Sequence, residues 1–157
     1  MTTHRLARVA LVLAVLLAFG AIAVSNGASP VTRVVLGSGD PPETGDDELA
    51  LSKVTVPAGA SLAAHTHPGL QIATIRSGRL TYTVVRGRAS VRRVSGRVVS
   101  VRAGRTVVLR PGDTITEPKG MVHRARNRGR SRVVIVLASL FPAGAPISTP
   151  AGGASAR

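Results

Sequence analysis

The sequence predicts an all-β fold of sandwich or barrel type, and three observations carry that expectation. Valine-rich segments alternate apolar and polar residues and recur at short spacing between Gly and Pro-Gly turns. No stretch beyond Asn26 carries a 3.6-residue apolar period. The 157 residues allow one domain of ordinary size. Setting the ends aside leaves roughly 90–100 residues for a core, enough to fold alone.

The N-terminus, MTTHRLARVALVLAVLLAFGAIAVSNGAS, begins with a basic region at Arg5 and Arg8, which also contains His4. Val9 to Val24 follows as an uncharged apolar run of 16 residues, with Ala21-Ile22-Ala23 as an A-x-A cleavage site. This is the layout of a secretory signal peptide over residues 1–25, an apolar signal helix ahead of the β-domain. The competing reading is an uncleaved membrane anchor, although a spanning helix needs about 20 apolar residues. Either way the remainder is expected outside the cytoplasmic membrane, with membrane contact only if the segment stays uncleaved.

Residues 26–48 read as an acidic Gly/Pro linker, in which Val31 to Leu36 has the makings of a short strand. From Leu49 the strand pattern is regular. In LALSKVTV, Leu49, Leu51, Lys53 and Thr55 share one face, and Ala50, Ser52, Val54 and Val56 the other. Pro57-Ala58-Gly59, Ser77-Gly78 and Pro111-Gly112-Asp113 are turns. RGRASVRRVSGRVVSVRAGR reads as a hairpin with its Arg residues outward. Val122 to Asn127 and Val133 to Phe141 close the series, giving a β-domain over residues 49–141. The tail, residues 142–157, is rich in Pro, Gly, Ala and Ser and is expected to be flexible.

The formal net charge is +14, and 19 of the 21 basic residues are Arg. Five of the seven acids fall between Asp40 and Glu48, so the chain beyond them is strongly basic. Such a surface attracts polyanions, among them anionic envelope polymers; it equally describes a solvated charged exterior. The only aromatics are Phe19, Tyr82 and Phe141, so the stacking platform of a single-strand nucleic-acid binder is missing and nucleic acid is not the expected partner. The absence of cysteine excludes disulfides, thiolate ligands and a cysteine nucleophile. No phosphate-cradling Gly-Lys-Ser/Thr loop or serine elbow is present. Asp113 and Glu117 lie four apart beside a turn, a poor arrangement for a glycosidase acid pair.

The chemistry concentrates in two segments. In HTHPGLQ, His65 and His67 are two apart and project from one side of a strand, and Gln71 returns to that side after the Pro68-Gly69 bend. In GDTITEPKGMVHRARN, His123, Ala125 and Asn127 share one face, while Arg124, Arg126 and Arg128 share the other. A strand charged on one side has that side in solvent, so His123 faces inward. The three arginines are the candidate polyanion contacts.

The spacing of the first string is Gly59, five residues, His65, one, His67, three, Gln71, six, Gly78. The second is Gly112, five residues, Pro118, one, Gly120, two, His123, three, Asn127. Together they resemble the paired signature motifs of the cupin superfamily over about Leu49 to Phe141. The resemblance implies an antiparallel jelly-roll barrel with one divalent ion inside, held by His65, His67 and His123. Gln71 stands where the family usually has Glu. Gly59, Gly78, Gly112, Pro118 and Gly120 match turn positions, and Asn127 matches a terminal Asn that reads as structural. Three imidazoles suit Fe, Mn, Ni, Cu or Zn and are a poor set for Ca or Mg. Glutamine carries no charge, so the ion would keep its full +2. The other reading is a degenerate site with hydrogen-bonded core histidines.

Two functions follow from the resemblance. One is a metal-dependent enzyme of dioxygenase or isomerase type, acting on a small oxygen-bearing molecule whose identity is not encoded, with Gln71 as fourth ligand or hydrogen-bond donor. The other is a non-catalytic small-ligand or envelope-polyanion module. Tyr82 is a candidate pocket residue. A homodimer is expected as well, because VVIVLASL, Val133 to Leu140, is apolar on both faces.

Overall fold

The structure, a computed structural model, describes residues 29–151. The expected signal segment, residues 1–25, lies outside the described residues. Alternating sequence becomes strand throughout: β1 (Thr32–Gly39), β2 (Asp47–Val56), β3 (Ser61–Thr66), β4 (Leu70–Ser77), β5 (Leu80–Arg86) and β6 (Arg88–Arg92) form the first half. The second half comprises β7 (Val98–Arg102), β8 (Thr106–Leu109), β9 (Thr114–Glu117), β10 (Val122–Arg126), β11 (Val133–Pro142) and β12 (Thr149–Pro150).

The strands form two antiparallel sheets, ordered β1-β2-β11-β4-β9-β6-β7 and β12-β3-β10-β5-β8. Early strands pair with late ones: β2 with β11, β4 with β9, β3 with β10, and β5 with β8. This jelly-roll wrapping brings residues far apart in sequence onto adjacent strands, from Thr83↔Thr106 to Asp47↔Pro142. The inward faces are those the alternation assigns. Ser52, Val54 and Val56 of β2 meet Val133, Ile135 and Leu137 of β11, with Ile75, Val84, Leu109 and Ile115 completing the core. Burial of each large aliphatic contributes roughly 1.5–3 kcal/mol. The Arg-rich segment is the β6–β7 hairpin, with Val91 and Val101 inward.

Two boundaries differ from the expectation. The segment expected as linker, residues 26–48, contains β1, a 3₁₀ turn at Pro42–Thr44 and the start of β2. Its side chains are mostly exposed, but its backbone pairs with β2 from Thr32↔Thr55 to Gly39↔Leu49. The tail expected to be flexible contributes β12, which pairs with β3 at Thr149↔Thr66 and Pro150↔His65. Edge pairing satisfies backbone groups without side-chain burial, so composition does not announce it.

At the Pro111-Gly112-Asp113 turn the buried Asp113 carboxylate accepts hydrogen bonds from Arg110 N at 2.9 Å, Arg93 at 2.7 Å and Val94 N at 3.3 Å. Burial alone would raise its pKa; the Arg110 amide and Arg93 outweigh burial and hold it below the ordinary carboxylate value. The stabilisation is therefore present above the unfolded-state pKa and is lost as pH falls through the folded one. Asp113→Asn is expected to lower stability by about 2 kcal/mol at pH 7. The gap to the parent should narrow below about pH 4 in urea titrations run across pH. A gap independent of pH would mean the charge contributes nothing.

Candidate metal centre

The two histidine strings meet because β3 and β10 are neighbours: His65 pairs directly with His123. Directly opposed residues project to one face, here the barrel interior. His67 follows at the end of β3, where Gly120 N donates to its carbonyl at 3.1 Å. One ligand atom from each of His65, His67 and His123 lies within 4.8 Å of the others. His67 and His123 are buried, and His65 is half-buried.

The backbone sets the tautomer of two of the rings. His65 Nδ1 lies 2.7 Å from Ala63 O, and His67 Nδ1 lies 2.7 Å from Ile147 O. A carbonyl only accepts, so both Nδ1 atoms carry a proton, and Nε2 is the atom each ring has to offer a metal. This is the outer hydrogen bonding that orients imidazoles toward a metal. Burial lowers the His67 pKa despite the pull of the Ile147 carbonyl and Glu117, and burial together with His65 pushes His123 down to about 3. Neutral rings at pH 7 are the ligating form. Phe141 stacks on His67 at 5.7 Å between centroids, and Tyr82 stacks on His123 at 4.9 Å.

Gln71 is buried on β4, with Nε2 3.3 Å from His67 Nε2. Its Oε1 and His123 Nδ1 are inaccessible to solvent and have no hydrogen-bond partner. Buried polar groups of this kind call for a partner, a role an ion in the site would fill. The donor set, three imidazoles plus an amide oxygen, fits a divalent transition ion.

Sequence reasoning missed Glu117. It is 3% exposed at the end of β9 and lies inside the site. Its Oε1 accepts from Tyr82 Oη at 2.8 Å and its Oε2 from Gln71 Nε2 at 2.8 Å. The same two oxygens stand 3.6 Å from His123 Nε2 and His67 Nε2. Burial pushes its pKa up, against the opposing effects of His67, Tyr82, Gln71 and His65. The signal was available: in Thr-Ile-Thr-Glu, Glu117 shares the inward face of Ile115.

Among the remaining candidates, Gly59, Gly78, Gly112 and Gly120 have φ from 75° to 84°. Gly120 belongs to the turn that follows Pro118, closed by Met121 N to Pro118 O at 3.2 Å, and this turn delivers β10 and His123. Asn127 is away from the histidines in hydrogen-bonding terms: its amide binds Val56 O, Pro57 O and Ser131 O, and its oxygen accepts from Gly129 N. Arg124, Arg126 and Arg128 are exposed and line a groove outside the smaller sheet with Ser61, Thr81 and Thr83.

The histidines, Gln71, Tyr82 and Glu117 line one cavity of about 320 Å³. The rest of its wall is aliphatic, including Val54, Leu62, Ile75, Leu109 and Leu137. Arg33 of β1 also lines it, bound to Ser52 Oγ at 3.1 Å and Ser139 Oγ at 3.3 Å.

Residues 91–139 match the family model described as "Cupin domain", a span that holds the second histidine string but not the first. No curated protein matches the chain significantly. Among solved structures, a cupin 2 domain-containing protein from Halorhodospira halophila is 13% identical, covering 80% of this chain and 72% of its own, with a TM-score of 0.54. A DMSP lyase from Ruegeria pomeroyi DSS-3 is 21% identical over 77% of this chain and 51% of its own, at 0.54. A cupin superfamily protein from Desulfitobacterium hafniense DCB-2 is 15% identical over 75% and 84%, at 0.51. At these identities the likeness is one of fold.

Proposed function

We propose that this chain, whose fold is cupin-like, is an exported metal-dependent protein acting on a small anionic, oxygen-bearing molecule. The observation that carries the reading is the trio of converging histidines, two of them oriented through Nδ1 by backbone carbonyls. His65, His67 and His123 would hold the ion, with the Gln71 amide oxygen available beside them. When bound, a divalent transition ion supplies Lewis-acid polarisation of a coordinated oxygen. The chain's own contribution is a largely aliphatic wall that fits a small molecule without stacking it. Arg33 forms no ion pair with an acid among the described residues, so its guanidinium is available to a carboxylate on that molecule.

Elemental mass spectrometry on the untagged protein tests the site. About one equivalent of Fe, Mn, Ni, Cu or Zn is expected in the parent and none in a His65→Ala/His123→Ala variant. No metal in the parent after reconstitution with each ion would sink the proposal. The second reading, a non-catalytic module for anionic envelope polymers, rests on the groove beside Arg124, Arg126 and Arg128. Salt-sensitive heparin binding by a metal-free parent would favour it.

We also propose a homodimer through the outer face of the larger sheet. The rungs Leu49–Leu140–Leu70 and Leu51–Ala138–Ile72 cross β2, β11 and β4. Leu49, Leu51, Leu70 and Ile72 are each 42–46% exposed, an apolar patch suited to an isologous contact. Light scattering should report a dimer, and Leu51→Lys/Ile72→Lys a monomer. A parent that stays monomeric at high micromolar concentration would remove the interface.

A further inference from the structure

We propose that Glu117 of β9 supplies the negative charge of this metal centre, with Gln71 of β4 as the amide that positions it. The inference rests on the metal reading above and adds to it a ligand-side carboxylate from a different strand. It reverses the expectation that the ion keeps its full +2.

Three independent observations support it. First, the carboxylate faces two of the histidines. His67 Nε2 stands 3.6 Å from Glu117 Oε2, and His123 Nε2 stands 3.6 Å from Glu117 Oε1. Neither pair is close enough for a direct hydrogen bond, and one divalent ion among them would engage the carboxylate and both rings at once. Second, the carboxylate is buried without a permanent cation. Among the described residues no Arg or Lys comes within ion-pair distance of Glu117. Its neighbours Tyr82 and Gln71 donate hydrogen bonds but carry no charge. A buried carboxylate in that state costs several kcal/mol unless a cation joins it.

Third, Gln71 and Glu117 are direct cross-strand partners in the β4–β9 register. Gln71 Nε2 donates to Glu117 Oε2 at 2.8 Å. A glutamate at 71 would set two carboxylates against each other at that distance, which disfavours ionisation of both. The glutamine is thus the neutral complement that one acid on β9 requires. Holding Oε2 by its NH₂ group turns the amide and leaves Gln71 Oε1 without a partner in the site. Tyr82 pins the other carboxylate oxygen, so Glu117 is fixed at both ends.

Cobalt(II) binding is the test, read as affinity by chelator competition and as the visible absorption spectrum. The proteins are the untagged parent, Glu117→Gln, Glu117→Asp, the swap Gln71→Glu/Glu117→Gln, and His65→Ala/His123→Ala. Circular dichroism and thermal melts establish that each is folded. Glu117→Gln is expected to bind about 100-fold more weakly and to shift the absorption bands. Glu117→Asp, which keeps the charge, should retain more affinity than Glu117→Gln. The swap should recover to within about 10-fold of the parent, because one carboxylate again faces one amide across the same rung. Glu117→Gln binding within about 3-fold of the parent, with an unchanged spectrum, would overturn the inference. The metal reading would survive that result, since the double histidine variant would still lose the ion. A swap no tighter than Glu117→Gln would overturn the pairing of 71 with 117. A parent that binds no cobalt would overturn both the metal reading and this one.

Discussion

Asn127→Ala is expected to lower stability by about 3–4 kcal/mol, measured by urea denaturation of the metal-free protein. Asn127 has no exposed surface. Its Nδ2 donates to Val56 O at 2.9 Å, Pro57 O at 3.0 Å and Ser131 O at 2.8 Å, and Oδ1 accepts from Gly129 N at 2.9 Å. Its backbone also exchanges bonds with the Pro57–Ala60 turn, through Gly59 N to Asn127 O and Asn127 N to Ala60 O. One side chain therefore ties the end of β2, the turn into β3 and the loop after β10. Alanine would remove the donor that serves three carbonyls and the acceptor of an amide, and the Val56 carbonyl among them is fully buried. Asn127→Asp should fare little better, since its carboxylate would face carbonyls that need a donor. A loss below about 1 kcal/mol would mean the loops repair these bonds themselves.

Gly78→Ala is expected to cost about 3 kcal/mol or more, in the same assay, for two additive reasons. The residue has φ 77°, which an L side chain tolerates poorly. A Cβ there would also approach Arg132 O to 2.8 Å and Val133 Cα to 2.9 Å. Those are backbone atoms at the start of β11, so relief requires moving an interior strand of the larger sheet rather than turning a rotamer. Gly96→Ala is the comparison: its φ is 84° and a Cβ meets nothing within 4 Å. It should cost only the conformational part, about 1–2 kcal/mol. Equal losses at the two positions would show that contact with β11 is unimportant.

The histidine site was legible because two-residue alternation is a strict rule on strands. His65 and His67 had to share a face, and the all-Arg opposite face of β10 forced His123 inward. The turns between them then needed only glycine and proline at fixed offsets, which the chain has. Glu117 escaped because it was weighed with Asp113 as an acid pair beside a turn, not as the inward neighbour of Ile115. The two acids in fact serve different ends: Asp113 organises a turn through Arg93, and Glu117 enters the cavity. Arg33 and β12 were missed for another reason. Their segments are rich in Gly, Pro and acid or in small residues, and their placement comes from backbone pairing at sheet edges. Periodicity reports buried side chains and is silent on such edges.

The ring of His67 is steered by the carbonyl of Ile147, 80 residues further along the chain. That carbonyl is held in place by β12 and by Ala151 N bonding to Ala64 O at 3.0 Å. The exposed strand β12 is thereby part of the mounting of a buried histidine. Coupling of this kind is reciprocal: whatever fixes His67 also fixes β12. A protease cutting beside β12 would act on the histidine cluster without entering the barrel. The persistence of that short edge strand is, in that sense, a readout of the state of the interior.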